Sequence, residues 1–338
     1  MLSRRSVFAL PALAAASPSP RTRNWTPLLE LSTTPGAAVA RIERGRLAWA
    51  EYIGVRKSGE PDAIDAGTRF AAASLTKPAT ACLALQLTDA KTLDLDRPLH
   101  HYLPFADNDR ARRVTARHVL SHSTGFPNWR NEQGQKLECE FEPGTQFGYS
   151  GEGYYLLSQV LEKLAGQSYS SLMQERVFKP LGMAASTVDE LKPEASDRAT
   201  PHTRRGKPRP HFSPPAPSPG KEVLPNNRIP NAAASLWTTI PDYVRFLTHA
   251  FERADWFEPR TRINPALSWG MGWGLERHAG SLWCWHWGDN PGFKNIVLCR
   301  PGRRDGLLVF TNGDNGRALY EAIARQVLGD GHPAFLWI

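Results

Sequence analysis

Two runs near the start of the chain, residues 37–42 and 47–55, are apolar or alternate apolar with polar positions, and Glu43-Arg44-Gly45 divides them. That pattern predicts a β-hairpin. It returns near the other end, where 282–287, 295–299 and 306–311 are strand-like with turns at 289–292 and 301–305, and residues 317–328 then repeat apolar side chains at helical spacing. The middle differs. Segments 77–90, 116–121, 153–165, 169–177 and 241–253 carry the helical period and are joined by long loops. Strands at both ends and helices between them predict an α/β (α+β) fold, an antiparallel sheet flanked by helices with a mainly helical region inserted into it. On this reading residues 24–338 form one unit, with 24–76 and 268–338 building the sheet part and 77–267 the helical part. A groove between two such parts is the usual place for a small-molecule site. Residues 203–230, rich in proline and basic side chains, are expected to form a long exposed loop near that groove.

With 41% hydrophobic and 22% charged residues over 338 positions, the composition is globular and argues against disorder. Basic residues exceed acidic ones by 41 to 33, a net charge of +8, but the excess is scattered or sits in segments such as 110–117, 204–209 and 300–304. No predicted helix carries a basic stripe interleaved with aromatics, so nucleic acid is not an expected partner. A basic surface still favours anionic substrates or envelopes. The opening "MLSRRSVFALPALAAASPSP" places Arg4 and Arg5 before an apolar stretch and then small residues and prolines. This is the layout of an export signal over residues 1–16, and Ser3-Arg4-Arg5-Ser6-Val7-Phe8 looks like a twin-arginine form of one. A frayed basic terminus is the alternative. The expected location is periplasmic or secreted, and no segment has the length of a stable membrane span. Cys82, Cys139, Cys284 and Cys299 lack the close pairing of a zinc site. Cys284 and Cys299 fall on two strand-like runs across one turn, either as a facing cross-strand pair or as buried free thiols. No metal or other cofactor is expected.

The stretch "AAASLTKPAT", residues 71–80, puts Ser74 and Lys77 three residues apart where strand-like sequence gives way to a helix. Locally, two roles are open to Ser74. Serine is a favoured helix N-cap. It is also a nucleophile wherever a base lies within hydrogen-bond reach, because the hydroxyl must lose its proton as it attacks. Lys77, one turn on, would be partly desolvated near a helix N-terminus, and both effects favour its neutral, basic form. Two further stations follow, Tyr149-Ser150-Gly151 on a loop between helices and His286-Trp287-Gly288 at the end of a C-terminal strand. His118 and His122 are four apart, but no carboxylate pattern accompanies them as a zinc site would require. Asp94-Leu95-Asp96 reads as a turn and cap.

In this order the three stations resemble the serine β-lactamase and D,D-peptidase superfamily, in particular its branch of class C β-lactamases, D-stereospecific peptidases and related esterases. The resemblance extends to "DLDRPLHHYLP" (94–104), "VTARHVLSHSTGFP" (114–127), "FEPGTQFGYSGEGYYLLSQVLEKLAG" (141–166), "VFKPLGM" (177–183), "SLWTTIPDYVRFL" (235–247) and "HWGDNPGF" (286–293). It implies a β-lactamase/transpeptidase-like fold, with Ser74 as the acylated nucleophile and Lys77 and Tyr149 handling its proton, either able to act as the base. It further implies the backbone N–H groups of Ser74 and Asp289 as oxyanion donors, and His286, Trp287, Gly288 and Asp289 as substrate-binding residues. Two positions depart from class C β-lactamases. Gly151 stands where they have asparagine, which removes an amide for a substrate side-chain carbonyl. His286 stands where they have lysine; facing the groove, it would hold a substrate carboxylate only while protonated, below its ordinary pKa of about 6.5. The expected function is that of an exported, metal-free serine hydrolase that cleaves an amide or ester through an acyl-enzyme on Ser74. Its substrate would be a small peptide, a D-amino-acid derivative or a short-chain ester. The alternatives are a β-lactamase proper and a penicillin-binding or catalytically silent homologue without turnover.

Overall fold

The expected hairpin is present as β1 (Gly36–Glu43) and β2 (Arg46–Gly54), with Arg44 and Gly45 both at positive φ in its turn. Two short strands, β3 (Phe70–Ala71) and β4 (Trp237–Thr238), pair with each other apart from it. Then follow β5 (Thr261–Arg262), β6 (Leu267–Trp269), β7 (Gly274–His278), β8 (Ser281–Asn290), β9 (Phe293–Arg300) and β10 (Asp305–Thr311). The main sheet is antiparallel and eight-stranded, in the order β2-β1-β10-β9-β8-β7-β6-β5, so the two ends of the chain meet where β1 pairs with β10. These positions come from a computed structural model that describes residues 23–106, 108–130, 132, 134–210, 224–227 and 230–338. The expected export signal and the middle of the 203–230 loop lie outside the described residues.

The central strands are buried on both faces, which is why they read as near-continuous apolar runs rather than as a clean alternation. Ala37, Val39, Trp285, Ile296, Leu298, Leu307 and Val309 point to one core, closed by Trp25, by Leu29 of the helix Thr26–Ser32 and by Leu319, Tyr320 and Ile323 of the helix Gly316–Leu328. Their neighbours Ala38, Ala40, Cys284, Val297, Cys299, Leu308 and Phe310 point the other way, into the core shared with the helical region. The helix Thr76–Asp89 runs through that second core and is buried on nearly every side. A helix apolar all round belongs in the interior rather than on a surface. Its N-terminus sits against the sheet, and that junction carries Ser74.

Several elements differ from the sequence pattern. The strands β5 to β7 are short and are built as a relay outward from β8, with β7 on β8, β6 on β7 and β5 on β6. The expected helix over 169–177 is one α-turn, Tyr169–Leu172, continued by a wider π-type stretch, Met173–Phe178. Cys284 and Cys299 are direct partners across β8 and β9, and both are buried free thiols.

Candidate active site

Ser74 lies in a tight turn, Ala73–Leu75, between β3 and the helix Thr76–Asp89. Ala73 takes φ 53°. An L-residue in the left-handed region costs roughly 1–2 kcal/mol, so surrounding contacts must hold this turn. Thr76 Oγ1 donates to Ala73 O at 2.6 Å and accepts from Leu236 N at 2.9 Å. Ala72 N donates to Leu236 O, and Asn295 Nδ2 of β9 donates to Ala71 O at 2.9 Å. Gly288 of β8 presses so closely that a Cβ there would stand 2.2 Å from Ala72 O. The helix start has no side-chain cap, so the capping role open to Ser74 is not used. Its hydroxyl instead meets Lys77 Nζ at 3.1 Å.

The Lys77 side chain is enclosed, 1% exposed, with Nζ also donating to Ala233 O at 2.9 Å. Burial brings its pKa down from 10.5 to about 7. Desolvation disfavours the ammonium, and among the described residues no carboxylate offsets it. The amine also lies 4.8 Å from the Tyr149 ring centroid and 5.6 Å from that of Tyr154. Tyr149 is turned toward Ser74. Burial raises the pKa of its phenol and the Ser74 hydroxyl partly opposes this, yet the Tyr149 hydroxyl forms no completed hydrogen bond.

His286 corrects one expectation. The ring is fully buried, and burial followed by the nearby Lys77 charge lowers its pKa to about 3. It is therefore a neutral imidazole at physiological pH rather than a groove cation that titrates near 6.5. Nδ1 lies 2.8 Å from Trp287 O. A carbonyl can only accept, so Nδ1 carries the proton and Nε2, which has no partner, presents a lone pair. Trp287 is half-buried and packs on Tyr149 with centroids 4.9 Å apart. Asp289 is exposed and ion-paired with Lys294.

Two members of this cluster were missed as site residues. His122 lies parallel-tilted on Tyr149 at 4.2 Å and against Tyr154 at 5.3 Å. Its Nδ1 accepts from Ser150 N at 3.1 Å, so the neutral ring carries its proton on Nε2, which has no partner. Burial, with Lys77 and His286 nearby, holds its pKa well below 6.5. The Tyr154 hydroxyl is likewise buried and unpartnered. The "SHSTGF" stretch around His122 carried the signal, but pairing His122 with His118 pointed the wrong way. His118 caps the helix Ala116–Leu120 through Thr115. Among the described residues no group of three or more His, Cys, Asp or Glu side chains is arranged to hold a metal ion. A cavity of about 520 Å³ opens beside Arg130, Glu152 and Tyr155, and neither Ser74, Lys77 nor Tyr149 lines it.

A half-buried serine beside an enclosed lysine, faced by a tyrosine at the junction of an antiparallel sheet and a helical region, defines the class of serine acyl-transfer folds. A family model described as Beta-lactamase matches residues 23–329, and the chain belongs to that family. It is similar to Penicillin-binding protein 4 of Amycolatopsis lactamdurans, with 27% identity over 333 residues covering 88% of this chain and 85% of that one. Over a shorter stretch it is 29% identical to a putative D-alanyl-D-alanine carboxypeptidase of Escherichia coli, covering 43% of this chain and 40% of that one. The solved structure of D-alanine carboxypeptidase AmpC from Burkholderia cenocepacia shares the fold, with a TM-score of 0.73, 20% identity and coverage of 88% and 95% of the two chains.

Proposed function

We propose that this protein is a serine hydrolase that cleaves an amide or ester carbonyl of a small peptide, a D-amino-acid derivative or a short-chain ester through an acyl-enzyme on Ser74. The observation that carries the reading is Lys77, buried, brought to a pKa of about 7 and 3.1 Å from Ser74 Oγ. Near neutral pH about half of it is the free amine, whose lone pair can take the serine proton. Tyr149, with its pKa raised, stays protonated at the same pH. Lys77 is thus the base in acylation and Tyr149 the acid. As Ser74 Oγ attacks, its proton passes to Lys77; as the tetrahedral intermediate collapses, Tyr149 protonates the leaving group and recovers a proton from Lys77. Deacylation repeats the path with water in place of the serine.

A peptide-like substrate is supported by the edge of β8. Trp285 faces Gly274 at the end of β7, and the strand then continues to Asn290 with β9 on one side and no described strand on the other. An extended substrate backbone can add to such an edge. Names such as D-alanyl-D-alanine carboxypeptidase among the relatives point to the same substrate class.

Intact-mass spectrometry after separate incubation with a fluorophosphonate, a penicillin and a p-nitrophenyl ester tests the reading. A fluorophosphonate adduct on Ser74 with turnover of the ester is expected; an adduct that survives Ser74→Ala would overturn it. A penicillin adduct that persists without hydrolysis would favour the non-turnover alternative. We extend the proposal to export through the twin-arginine-like segment at Arg4 and Arg5. Loss of the protein from the periplasmic fraction on replacing both arginines by lysine tests that part, and unchanged fractionation would refute it.

A further inference from the structure

The Tyr149 hydroxyl has no hydrogen-bond partner among the described residues, so the contacts of its ring decide where the phenol points. That ring lies against His122 at 4.2 Å and against Trp287 at 4.9 Å. His122 is tied down by the bond from Ser150 N. Trp287 sits where β8 has run past its last pair with β7, and no described strand flanks it on that side. It meets Trp337 edge-on, with centroids 5.6 Å apart and planes at 84°. The Trp337 indole also lies 5.6 Å from Trp285 of β8 and 5.6 Å from Phe147, two residues before Tyr149. Trp337 therefore joins the strand that carries Trp287 to the loop that carries Tyr149.

Polar bonds fix Trp337 in that place. It belongs to the short turn Ala334–Trp337, which follows the helix Gly316–Leu328. Glu276 of β7 is buried and spends both carboxylate oxygens on this segment: Oε1 meets His332 Nδ1, and Oε2 accepts from Ala334 N at 2.8 Å. Arg317 Nη2 donates to Phe335 O at 2.9 Å. Bonds to a charged group are short and directional, so they set the register of the turn. In that register Leu336 is 93% exposed, and its neighbour Trp337 is turned onto the ring cluster.

We propose that Trp337 is a positioning residue for Tyr149, acting through Trp287 and Phe147 from a segment that Glu276 clasps to the sheet. The inference rests on the reading of Tyr149 as the acid that protonates the leaving group. A general acid works only within hydrogen-bond reach of the atom it protonates, and a displacement of about 1 Å caused far from the chemistry can cost roughly 100-fold.

The test compares kcat/KM for p-nitrophenyl acetate and ethyl acetate, which share one acyl group. A nitrophenolate departs with little help, whereas an alkoxide must be protonated as it leaves, so the ethyl ester depends far more on where Tyr149 stands. Trp337→Ala is expected to lower the ethyl-to-nitrophenyl ratio by about tenfold, part of the roughly 10²–10⁴ that a placed acid contributes. Trp337→Phe restores a ring and should recover most of the ratio. Trp337→Leu keeps apolar bulk without a ring, and should show the selective loss even if the alanine variant does not fold. Tyr149→Phe is the control for the acid reading. If it loses the ethyl ester selectively while Trp337→Leu keeps the wild-type ratio, or slows both esters equally, the role of Trp337 is overturned and that of Tyr149 stands. If Tyr149→Phe itself slows both esters equally, the acid reading fails, and fluorine NMR of a fluorotyrosine installed at position 149 decides the role of Trp337 without turnover. A resonance displaced in Trp337→Leu and restored in Trp337→Phe is expected there; one resonance common to all three proteins would overturn the proposal.

Discussion

Lys77→Met should make the protein inactive and more stable, with a pH dependence that identifies the cause. The substitution replaces a buried amine by an unbranched apolar chain of similar length. In the folded protein burial brings the Lys77 pKa from 10.5 to about 7. Between those values the unfolded chain binds a proton that the native state does not, so this lysine makes stability rise with pH across that window. Below about pH 7 both states are protonated and the penalty is at its full, constant value. Linkage gives a penalty of ~4 kcal/mol at pH 7, ~2 kcal/mol at pH 9 and under ~1 kcal/mol at pH 10.5. Methionine carries no such term. Urea unfolding of both proteins at pH 7, 8, 9 and 10 should therefore show a stability difference that shrinks by about 3 kcal/mol as pH rises. The bonds to Ser74 and Ala233 are lost in the variant at every pH, which offsets the curves without changing their slopes. Parallel curves would show that Lys77 keeps an ordinary pKa when buried, and would refute the argument that makes it the base.

In the wild type, ester hydrolysis should rise with pH to a plateau with a midpoint near 7, the Lys77 value; a rate already flat below pH 6 would contradict it. Ser74→Ala should abolish fluorophosphonate labelling and lower kcat by several orders of magnitude, roughly as for other hydrolase nucleophiles, with an unchanged circular dichroism spectrum. Lys77→Ala and Tyr149→Phe should be far from additive, because both lie on one proton path; clean additivity in single-turnover acylation would separate them. Gly288→Ala sets a Cβ 2.2 Å from Ala72 O, so it should displace the Ser74 turn and slow acylation strongly; wild-type acylation rates would mean that β8 does not set the turn. His286→Lys places a cation in a fully enclosed site and should lower the midpoint of thermal unfolding, whereas an unchanged midpoint would mean that the site admits water.

The hairpin, β8 to β10 and the C-terminal helix were legible because each carries its own period and turn residues. β5 and β6 were not, since two or three residues of strand have no period, and β5 to β7 are strands because each pairs with the next and β7 pairs with β8. Ser74 with Lys77, and Tyr149, were legible as two of three separated stations, but sequence spacing could not show that they meet. The state of His286 was misread for a physical reason. Its position on the motif suggested a residue facing the groove, whereas the alternation along β8 turns His286 inward while Trp285 and Trp287 face the other side, and only the packed structure shows how completely the ring is enclosed. Gly151 was legible as a departure, and nothing in its neighbourhood announced that Trp129 would fill the gap, with Cζ2 2.3 Å from where a Gly151 Cβ would stand.

On the acyl-enzyme reading, the polar atoms around Lys77 are placed to meet charge that forms on turnover. Tyr149 Oη, Tyr154 Oη, His122 Nε2 and His286 Nε2 are all buried without a hydrogen-bond partner among the described residues. The resting site is close to neutral, with two uncharged imidazoles, two protonated phenols and a lysine near its midpoint. On the proposed mechanism, acylation would create charge there, an ammonium on Lys77 and negative charge on the substrate oxygen and leaving group. Fixed dipoles are most effective when they point at charge that appears only in the transition state, because nothing has to reorganise when it forms. The lone pair of His286 and the free hydroxyls suit the ammonium, and the Nε2–H of His122 and the phenol proton of Tyr149 are donors. A lysine kept charged at the His286 position would oppose the protonation of Lys77 that the reaction requires. A neutral histidine there lets the same turn, strand and helix support a proton path whose only titration near neutral pH is that of Lys77.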